Sequence, residues 1–120
     1  MFEARLKGRR VLIVEDDYFL AYDMKDEFAR AGAEVVGPIG RVSDALRLVA
    51  RGEPLDAAVL DINLGGQMVY CVADALRARN VPFVFTTGYD AEAIPAEYAA
   101  VARYEKPTQL AKLGEALFGR

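Results

Sequence analysis

The chain has 120 residues, a formal net charge of −3 and a hydrophobic fraction of 53%. It contains one cysteine and no histidine, which excludes zinc sites and nucleophiles activated by histidine. The slight acidity gives no reason to expect direct contact with nucleic acid, and no apolar segment is long enough to span a membrane. We therefore expect a single cytoplasmic domain over residues 1–120, with a core from about residue 9 to 118.

Short apolar runs alternate with longer amphipathic stretches along the whole chain. The strands predicted from these runs cover residues 10–15, 33–38, 56–61, 82–87 and 101–104. The first, third and fourth are continuously apolar, which is typical of parallel strands covered on both faces. Five β/α repeats without long linkers predict an open, doubly wound α/β sheet, because right-handed crossovers place helices on both faces.

Apolar residues spaced three or four apart predict the helices between these strands. They are Leu20, Met24 and Phe28; Val42, Ala45, Leu46 and Val49; Val69, Val72, Ala73 and Leu76; and Leu110, Leu113 and Leu117. Pro95 interrupts the segment before the fifth strand, which predicts a short or irregular helix there. Gly32 and Gly52 are expected to end the first two helices, and Ser43 or Asp44 to cap the second.

Polar residues follow four of the predicted strands, and the carboxyl ends of parallel strands share one edge of a sheet. They are Glu15, Asp16 and Asp17 after the first strand, Asp61 at the end of the third, Thr87 and Gly88 after the fourth, and Lys106 after the fifth. Two carboxylates about 4 Å apart repel by roughly 4 kcal/mol at an effective dielectric of about 20, so such a cluster is expected to hold a cation. Ligands that offer only oxygen favour Mg²⁺, which shares its coordination shell with phosphate oxygens.

Asp61 is the candidate nucleophile of this edge. A carboxylate forms an acyl phosphate when a metal ion and a nearby cation neutralise the incoming phosphoryl group. Glu15 and Asp16 are candidate metal ligands, and the backbone carbonyl of Asn63 is expected to complete the metal shell. The competing interpretation is that Asp61 is an ordinary turn residue before an exposed loop.

The remaining polar groups suit the phosphoryl group itself. Thr87 offers a hydroxyl to a phosphoryl oxygen, Gly88 leaves room for a phosphodonor, and Lys106 supplies an ammonium. Plainer interpretations stay open, because threonine also ends strands through its β-branched shape and an acid such as Asp17 also caps helices.

Taken in order, these motifs resemble a response-regulator receiver domain of two-component signalling. The matching pieces are Val14-Glu15-Asp16-Asp17, Leu60-Asp61-Ile62-Asn63, Thr87-Gly88 and Lys106-Pro107, and the resemblance runs from Val11 to Leu117. It implies a flavodoxin-like (βα)5 sandwich with a five-stranded parallel sheet of order 2-1-3-4-5. It also implies transfer of a phosphoryl group, dependent on Mg²⁺ or Mn²⁺, from the phosphohistidine of a sensor histidine kinase or a histidine phosphotransfer protein.

The same match implies a role for each residue of the site. Asp61 is the phosphoacceptor, Glu15 and Asp16 form the acid pair with Asp16 as the direct metal ligand, Thr87 is the switch hydroxyl and Lys106 contacts the phosphate.

The chain departs from that family in three respects. Many members have proline four residues after the phosphoacceptor, where this chain has Gly65, so the loop after the third strand is expected to be freer. The usual switch aromatic lies three residues before the lysine, where this chain has Arg103; the neighbouring Tyr104 is expected to face the other side of the sheet. Residues 82–89 resemble a subgroup with a Phe-x-Thr-Gly-type motif, often found as single-domain regulators with a short fourth helix.

We therefore expect a phosphoacceptor signalling domain that is not an enzyme for external substrates, but phosphorylates itself from small donors and slowly loses its phosphate. Asn63 and Tyr89 are the predicted modulators of that loss. The first helix near residues 18–22 is expected to meet the phosphodonor, and the region of the fourth helix, fifth strand and fifth helix an unknown downstream protein. Leu117 and Phe118 suit either a homodimer contact or ordinary core.

Two other functions stay open. The first is a phosphorylation-independent protein-binding module with the receiver fold, against which the complete set of acids, threonine and lysine argues. The second is a phosphatase of the haloacid-dehalogenase type, which needs a second acid two residues after the nucleophile, where this chain has Asn63.

Overall fold

The structure is a computed structural model, and it describes residues 6–88, 94–106 and 110–119. The strands in these ranges are β1 (Arg10–Val14), β2 (Glu34–Ile39), β3 (Ala57–Asp61), β4 (Asn63–Leu64), β5 (Gln67–Met68), β6 (Phe83–Thr87) and β7 (Arg103–Glu105). The parallel sheet has the order β2-β1-β3-β6-β7, and the short strands β4 and β5 pair separately in antiparallel fashion. Without that hairpin the order is the predicted 2-1-3-4-5, and the predicted strand ends differ from the observed ones by no more than two residues.

The helices pack on both sides of this sheet. They are α1 (Tyr18–Arg30), α2 (Val42–Ala50), α3 (Tyr70–Ala78), α4 (Leu110–Phe118) and a short 3-10 helix (Ala96–Tyr98). The 3-10 helix confirms the prediction that Pro95 prevents a regular helix in this segment, as far as the segment is described. No helix in the described ranges is both long and apolar enough to cross a membrane.

Helix starts give one confirmed prediction and one wrong one. The side chain of Asp17 caps α1, since it accepts a hydrogen bond from the backbone amide of Leu20 at 3.1 Å. Neither Ser43 nor Asp44 caps α2, which begins after Arg41 without a side-chain cap. Asp44 lies instead within the first turn, where a carboxylate favours the positive end of the helix dipole.

Alternation along the central strands divides the core into two layers. Leu12, Leu60 and Phe85 belong to the layer beneath α2 and α3, whereas Ile13 and Val59 belong to the layer beneath α1 and α4. All five residues of β3 are buried, as expected for the middle strand of a doubly covered sheet. Leu117 and Phe118 pack against the α1–α4 layer.

The amino ends of the strands are joined by Arg10. Its guanidinium pairs with the carboxylates of Glu34 and Glu53, the latter at 2.6 Å, and its Nε donates to the carbonyl of Pro54 at 2.7 Å. Its backbone amide donates to Asp56 at 2.8 Å. This network fixes the edge of the sheet opposite to the predicted site.

Candidate functional site

The predicted site residues meet at the carboxyl edge of the sheet. Glu15 follows β1, Asp61 ends β3, Thr87 ends β6 and Lys106 follows β7. The parallel register places Asp61 next to Thr86 on β6, and the backbone amide of Lys106 donates to the carbonyl of Thr87 at 2.9 Å. The strands therefore bring the predicted acids, hydroxyl and ammonium to one edge.

Lys106 lies between two buried carboxylates. Its Nζ is 2.9 Å from Asp61 Oδ2, 2.9 Å from Glu15 Oε1 and 3.1 Å from Glu15 Oε2. Glu15 and Asp61 are each only 3% exposed. The backbone amide of Asp17 donates to the same Glu15 carboxylate at 2.9 Å. Glu15, which sequence reasoning assigned to metal alone, is therefore also a direct partner of the lysine.

Burial raises the pKa of Asp61 to about 7, in opposition to the hydrogen bond from Lys106 and with a further upward contribution from the charge of Glu15. Burial alone would lower the pKa of Lys106, but its hydrogen bonds to Glu15 and Asp61 outweigh burial and raise it. The Lys106 ammonium therefore stays charged. Its single positive charge is smaller than the summed negative charge of Glu15, Asp16 and Asp61.

The acids fit a divalent cation. Glu15, Asp16 and Asp61 each offer a carboxylate oxygen, and these oxygens all lie within 4.8 Å of one another. Asp16 is exposed and the other two are buried, so the group opens toward solvent on one side. Carboxylate oxygens in a partly open arrangement suit Mg²⁺ or Mn²⁺, which keep waters or phosphate oxygens in their shells.

The segment after Asp61 is a hairpin rather than the exposed, freer loop expected from the sequence. Gly65 and Gly66 have φ values of +58° and +97°, as in the two-residue turns that join antiparallel strands. Proline, with φ fixed near −65°, does not fit the positive φ of Gly65 in this turn. A side-chain carbon on Gly65 would lie 3.5 Å from Asp16 Oδ2, so the turn is beside the acids.

Asn63 connects this hairpin to the nucleophile. Its backbone amide donates to Asp61 Oδ1 at 3.3 Å, and its side-chain oxygen accepts from the amide of Gly66 at 2.6 Å. The side chain predicted to modulate phosphate loss therefore stabilises the turn, while its carbonyl as a metal ligand stays a prediction. Tyr89 and Pro107 lie outside the described residues.

The two threonines of β6 have different surroundings. Thr87 is 6% exposed at the strand end, whereas Thr86 is 1% exposed and its hydroxyl has no hydrogen-bond partner among the described residues. A side-chain carbon added to Gly88 would meet no atom of the described residues within 4 Å, and room for a phosphodonor at this position stays a prediction. The sequence did not predict this buried hydroxyl of Thr86, because no motif marks the position.

Strand β7 confirms the prediction that Tyr104 faces the side of the sheet opposite to Arg103. Its register is regular, with Phe85 opposite Arg103 and Thr86 opposite Tyr104. Tyr104 packs in the α1–α4 layer, away from the face that carries Phe85. The usual switch position, three residues before Lys106, therefore holds an exposed arginine, Arg103.

Comparisons with protein-family models and with curated proteins returned no match. Solved structures do match. The solution structure of SdrG from Sphingomonas melonis Fr1 is 36% identical, covers 94% of this chain and 97% of that one, and has a TM-score of 0.80. A BeF3-activated conformation of SdrG from Pseudomonas melonis Fr1 is 35% identical, with coverages of 91% and 95% and a TM-score of 0.76. A response regulator receiver protein from Sinorhizobium medicae WSM419 is 25% identical, with coverages of 93% and 93% and a TM-score of 0.77.

Proposed function

Because the chain belongs to the receiver domains of response regulators, we propose that it accepts a phosphoryl group on Asp61 and signals through a protein surface. The donor would be the phosphohistidine of a sensor histidine kinase or a histidine phosphotransfer protein. The observation that carries this proposal is the Lys106 ammonium at 2.9 Å from both Glu15 and Asp61, within a group of acids that can hold a cation.

In the proposed reaction, a carboxylate oxygen of Asp61 attacks the phosphorus. The bond from phosphorus to the donor nitrogen breaks, the electron pair leaves with the imidazole, and an acyl phosphate forms. Lys106 and Thr87 then donate hydrogen bonds to phosphoryl oxygens. Mg²⁺ or Mn²⁺, held by Glu15, Asp16, Asp61 and the Asn63 carbonyl, would neutralise phosphoryl charge when bound.

Acetyl phosphate with Mg²⁺ tests this proposal without a kinase. Intact-mass measurement is expected to show a gain of one phosphoryl group in the native protein and none in Asp61→Ala. Asp17→Asn is the matched control, because asparagine also caps helices and the neighbouring acids are retained. Excess EDTA is expected to prevent the gain. If native protein gains no mass from acetyl phosphate, phosphoramidate or a phosphorylated kinase, the phosphorylation-independent binding module is the better function.

The start of α1 is the proposed docking surface for the phosphodonor. Tyr18, Phe19 and Tyr22 are 73%, 77% and 60% exposed, and this helix begins directly after the acids that follow β1. Aromatic anchors of this kind carry much of the energy of protein interfaces. Replacing Phe19 or Tyr22 with serine is expected to slow transfer from a phosphorylated histidine phosphotransfer protein about tenfold, while labelling by acetyl phosphate is retained.

The remaining expectations follow from this role. The domain would work in the cytoplasm, slowly lose its own phosphate at a rate set by Asn63 and Tyr89, and act on no external substrate. Its output to a downstream protein would use residues 94–101, β7 and α4. A homodimer through Leu117 and Phe118 stays a prediction.

A further inference from the structure

Tyr98 is the largest fully buried side chain of the described residues, although no sequence motif marks it. Its ring stacks on Tyr70, with ring centres 5.0 Å apart and planes inclined by 18°. It also meets the ring of Phe85 edge-on, with centres 6.0 Å apart. The 3-10 helix that carries Tyr98 is thereby packed against both α3 and β6.

Polar contacts hold the same tyrosine at its far end. The hydroxyl donates to the carboxylate of Asp74 and lies 3.2 Å from the backbone carbonyl of Tyr70. Burial, followed by the hydrogen bond to Asp74, raises the pKa of Tyr98 to about 12. The hydroxyl therefore keeps its proton and acts as a donor to a charged acceptor, one of the stronger classes of hydrogen bond.

Arg77 adds a third contact from α3. Its guanidinium carbon lies 5.0 Å from the centre of the Tyr98 ring, within the range of a cation–π interaction. Its Nη1 also donates to the backbone carbonyl of Glu97 at 3.2 Å. We call Tyr98, Tyr70, Asp74, Arg77 and Phe85 the Tyr98 cluster.

The Tyr98 cluster touches the two elements that flank the phosphoacceptor. On one side, α3 follows the hairpin after Asp61, and the amide of Val69 donates to the carbonyl of Ile62 at 3.0 Å. On the other side, Phe85 lies two residues before Thr87 on the same face of β6. The ring of Tyr98 is therefore in direct contact with both flanking elements, through Tyr70 on α3 and Phe85 on β6.

We infer that the Tyr98 cluster reports the state of Asp61 to the surface, in a chain whose usual switch position holds the exposed Arg103. This inference rests on the proposed phosphorylation of Asp61. In the structure the cluster holds residues 94–101 on α3. A hydrogen bond from Thr87 to a phosphoryl group exists only in the phosphorylated state, and it shifts the end of β6. This shift weakens the contact between Phe85 and Tyr98. Residues 94–101 are then held less firmly against α3.

Hydrogen–deuterium exchange of residues 94–101 tests the inference, with beryllofluoride and Mg²⁺ as the phosphoryl mimic. In the native protein we expect the mimic to speed exchange there about tenfold. Tyr98→Phe removes only the hydroxyl, and is expected to raise exchange about tenfold without the mimic, as for loss of one hydrogen bond to a charged group. Asp74→Ala, a change at an exposed residue, should have the same effect and serves as the second variant.

Tyr104→Phe is the matched control, because Tyr104 lies on the opposite face of the sheet and should leave exchange at 94–101 unchanged. Acetyl phosphate labelling of Asp61 separates the two proposals, since none of these variants alters the site. Two results, each with normal labelling of Asp61, would overturn the Tyr98 inference alone. The first is that the mimic does not change exchange at residues 94–101 of the native protein. The second is that these residues exchange at the native rate in both Tyr98→Phe and Asp74→Ala. Absence of labelling in the native protein with acetyl phosphate, phosphoramidate and a phosphorylated kinase alike would overturn both proposals.

Discussion

The charged residues at the two edges of the parallel sheet differ in how they are paired and how deeply they are buried. At the amino edge, Arg10 pairs directly with Glu34 and Glu53, and the side chains of Arg10 and Glu53 are 24% and 31% exposed. At the carboxyl edge, the acids outnumber Lys106, and two of them are almost completely buried. Ion pairs near solvent stabilise a fold modestly, whereas surplus buried charge of one sign destabilises it. The acids of the carboxyl edge are therefore expected to lower the stability of the fold, whereas the ion pairs of the amino edge are expected to raise it.

Replacing Asp61 is the strongest way to test this contrast, because the structure predicts that a site mutation stabilises the protein. The pKa of Asp61 is raised from 3.8 to about 7, so the folded state binds its proton more tightly than the unfolded state does. The resulting stability is fully present below about pH 4 and is lost as the pH rises through about 7. Asp61→Asn removes this loss and is expected to raise the free energy of unfolding at pH 8 by about 2–4 kcal/mol.

Urea unfolding in EDTA between pH 4.5 and 8 measures this effect. Asp17→Asn, an exposed neighbour, should show the pH dependence of the native protein. If Asp61→Asn is less stable than the native protein at pH 8, then Lys106 compensates the buried acids fully and the contrast between the edges fails.

Arg10 tests the other edge. Arg10→Met keeps much of the apolar stem but removes the donor to the carbonyl of Pro54. It leaves Glu53 with the ion pair to Arg51 at 3.7 Å, and the change is expected to cost about 2 kcal/mol. Labelling of Asp61 by acetyl phosphate should be unchanged. The control is Arg30→Met, since Arg30 pairs with Asp26 on the exposed face of α1 and its loss should cost less than about 0.5 kcal/mol. Equal costs in urea unfolding would show that the amino edge contributes no more than a surface ion pair.

Thr86 gives a smaller effect at the carboxyl edge. Its buried hydroxyl has no partner among the described residues, so Thr86→Val, which keeps the shape, is expected to stabilise the protein by about 1 kcal/mol. Thr86→Ser keeps the hydroxyl and loses a methyl group, and is expected to destabilise it by about 1 kcal/mol. Thermal and urea unfolding compare the pair. Destabilisation by Thr86→Val would mean that the hydroxyl has a bound partner, such as water.

The sheet and the convergence of Asp61 and Lys106 could be predicted because both depend on simple patterns. The apolar runs of β1, β3 and β6 are continuous, and a parallel sheet brings all their carboxyl ends to one edge whatever the details of packing. The family resemblance adds the assignment of roles to individual residues. Neither pattern depends on knowing which side chains touch.

The features that were missed depend on contacts between distant residues or on very short elements. The strands β4 and β5 have only two residues each, which is too short to show a periodic pattern of apolar residues. The pair Gly65-Gly66 is nevertheless a turn signal from which the hairpin could have been predicted. Tyr98 and Asp74 are 24 residues apart, and nothing in the local pattern pairs them. The second partner of Lys106, Glu15, is 91 residues away and was assigned to metal alone.

The smallest expected effects come from two helix starts. Asp17, at the carboxyl edge, caps α1, whereas Ser43 was wrongly predicted to cap α2. Asp17 accepts a hydrogen bond from Leu20 and caps α1, so Asp17→Ala is expected to cost about 1 kcal/mol of unfolding free energy. Ser43→Ala is expected to change it by less than about 0.5 kcal/mol, because Ser43 is exposed within α2 and is not its cap. Urea unfolding of both variants decides the matter. A cost of about 1 kcal/mol for Ser43→Ala would place the start of α2 where the sequence pattern put it, since only a lost cap explains so large an effect at this exposed position.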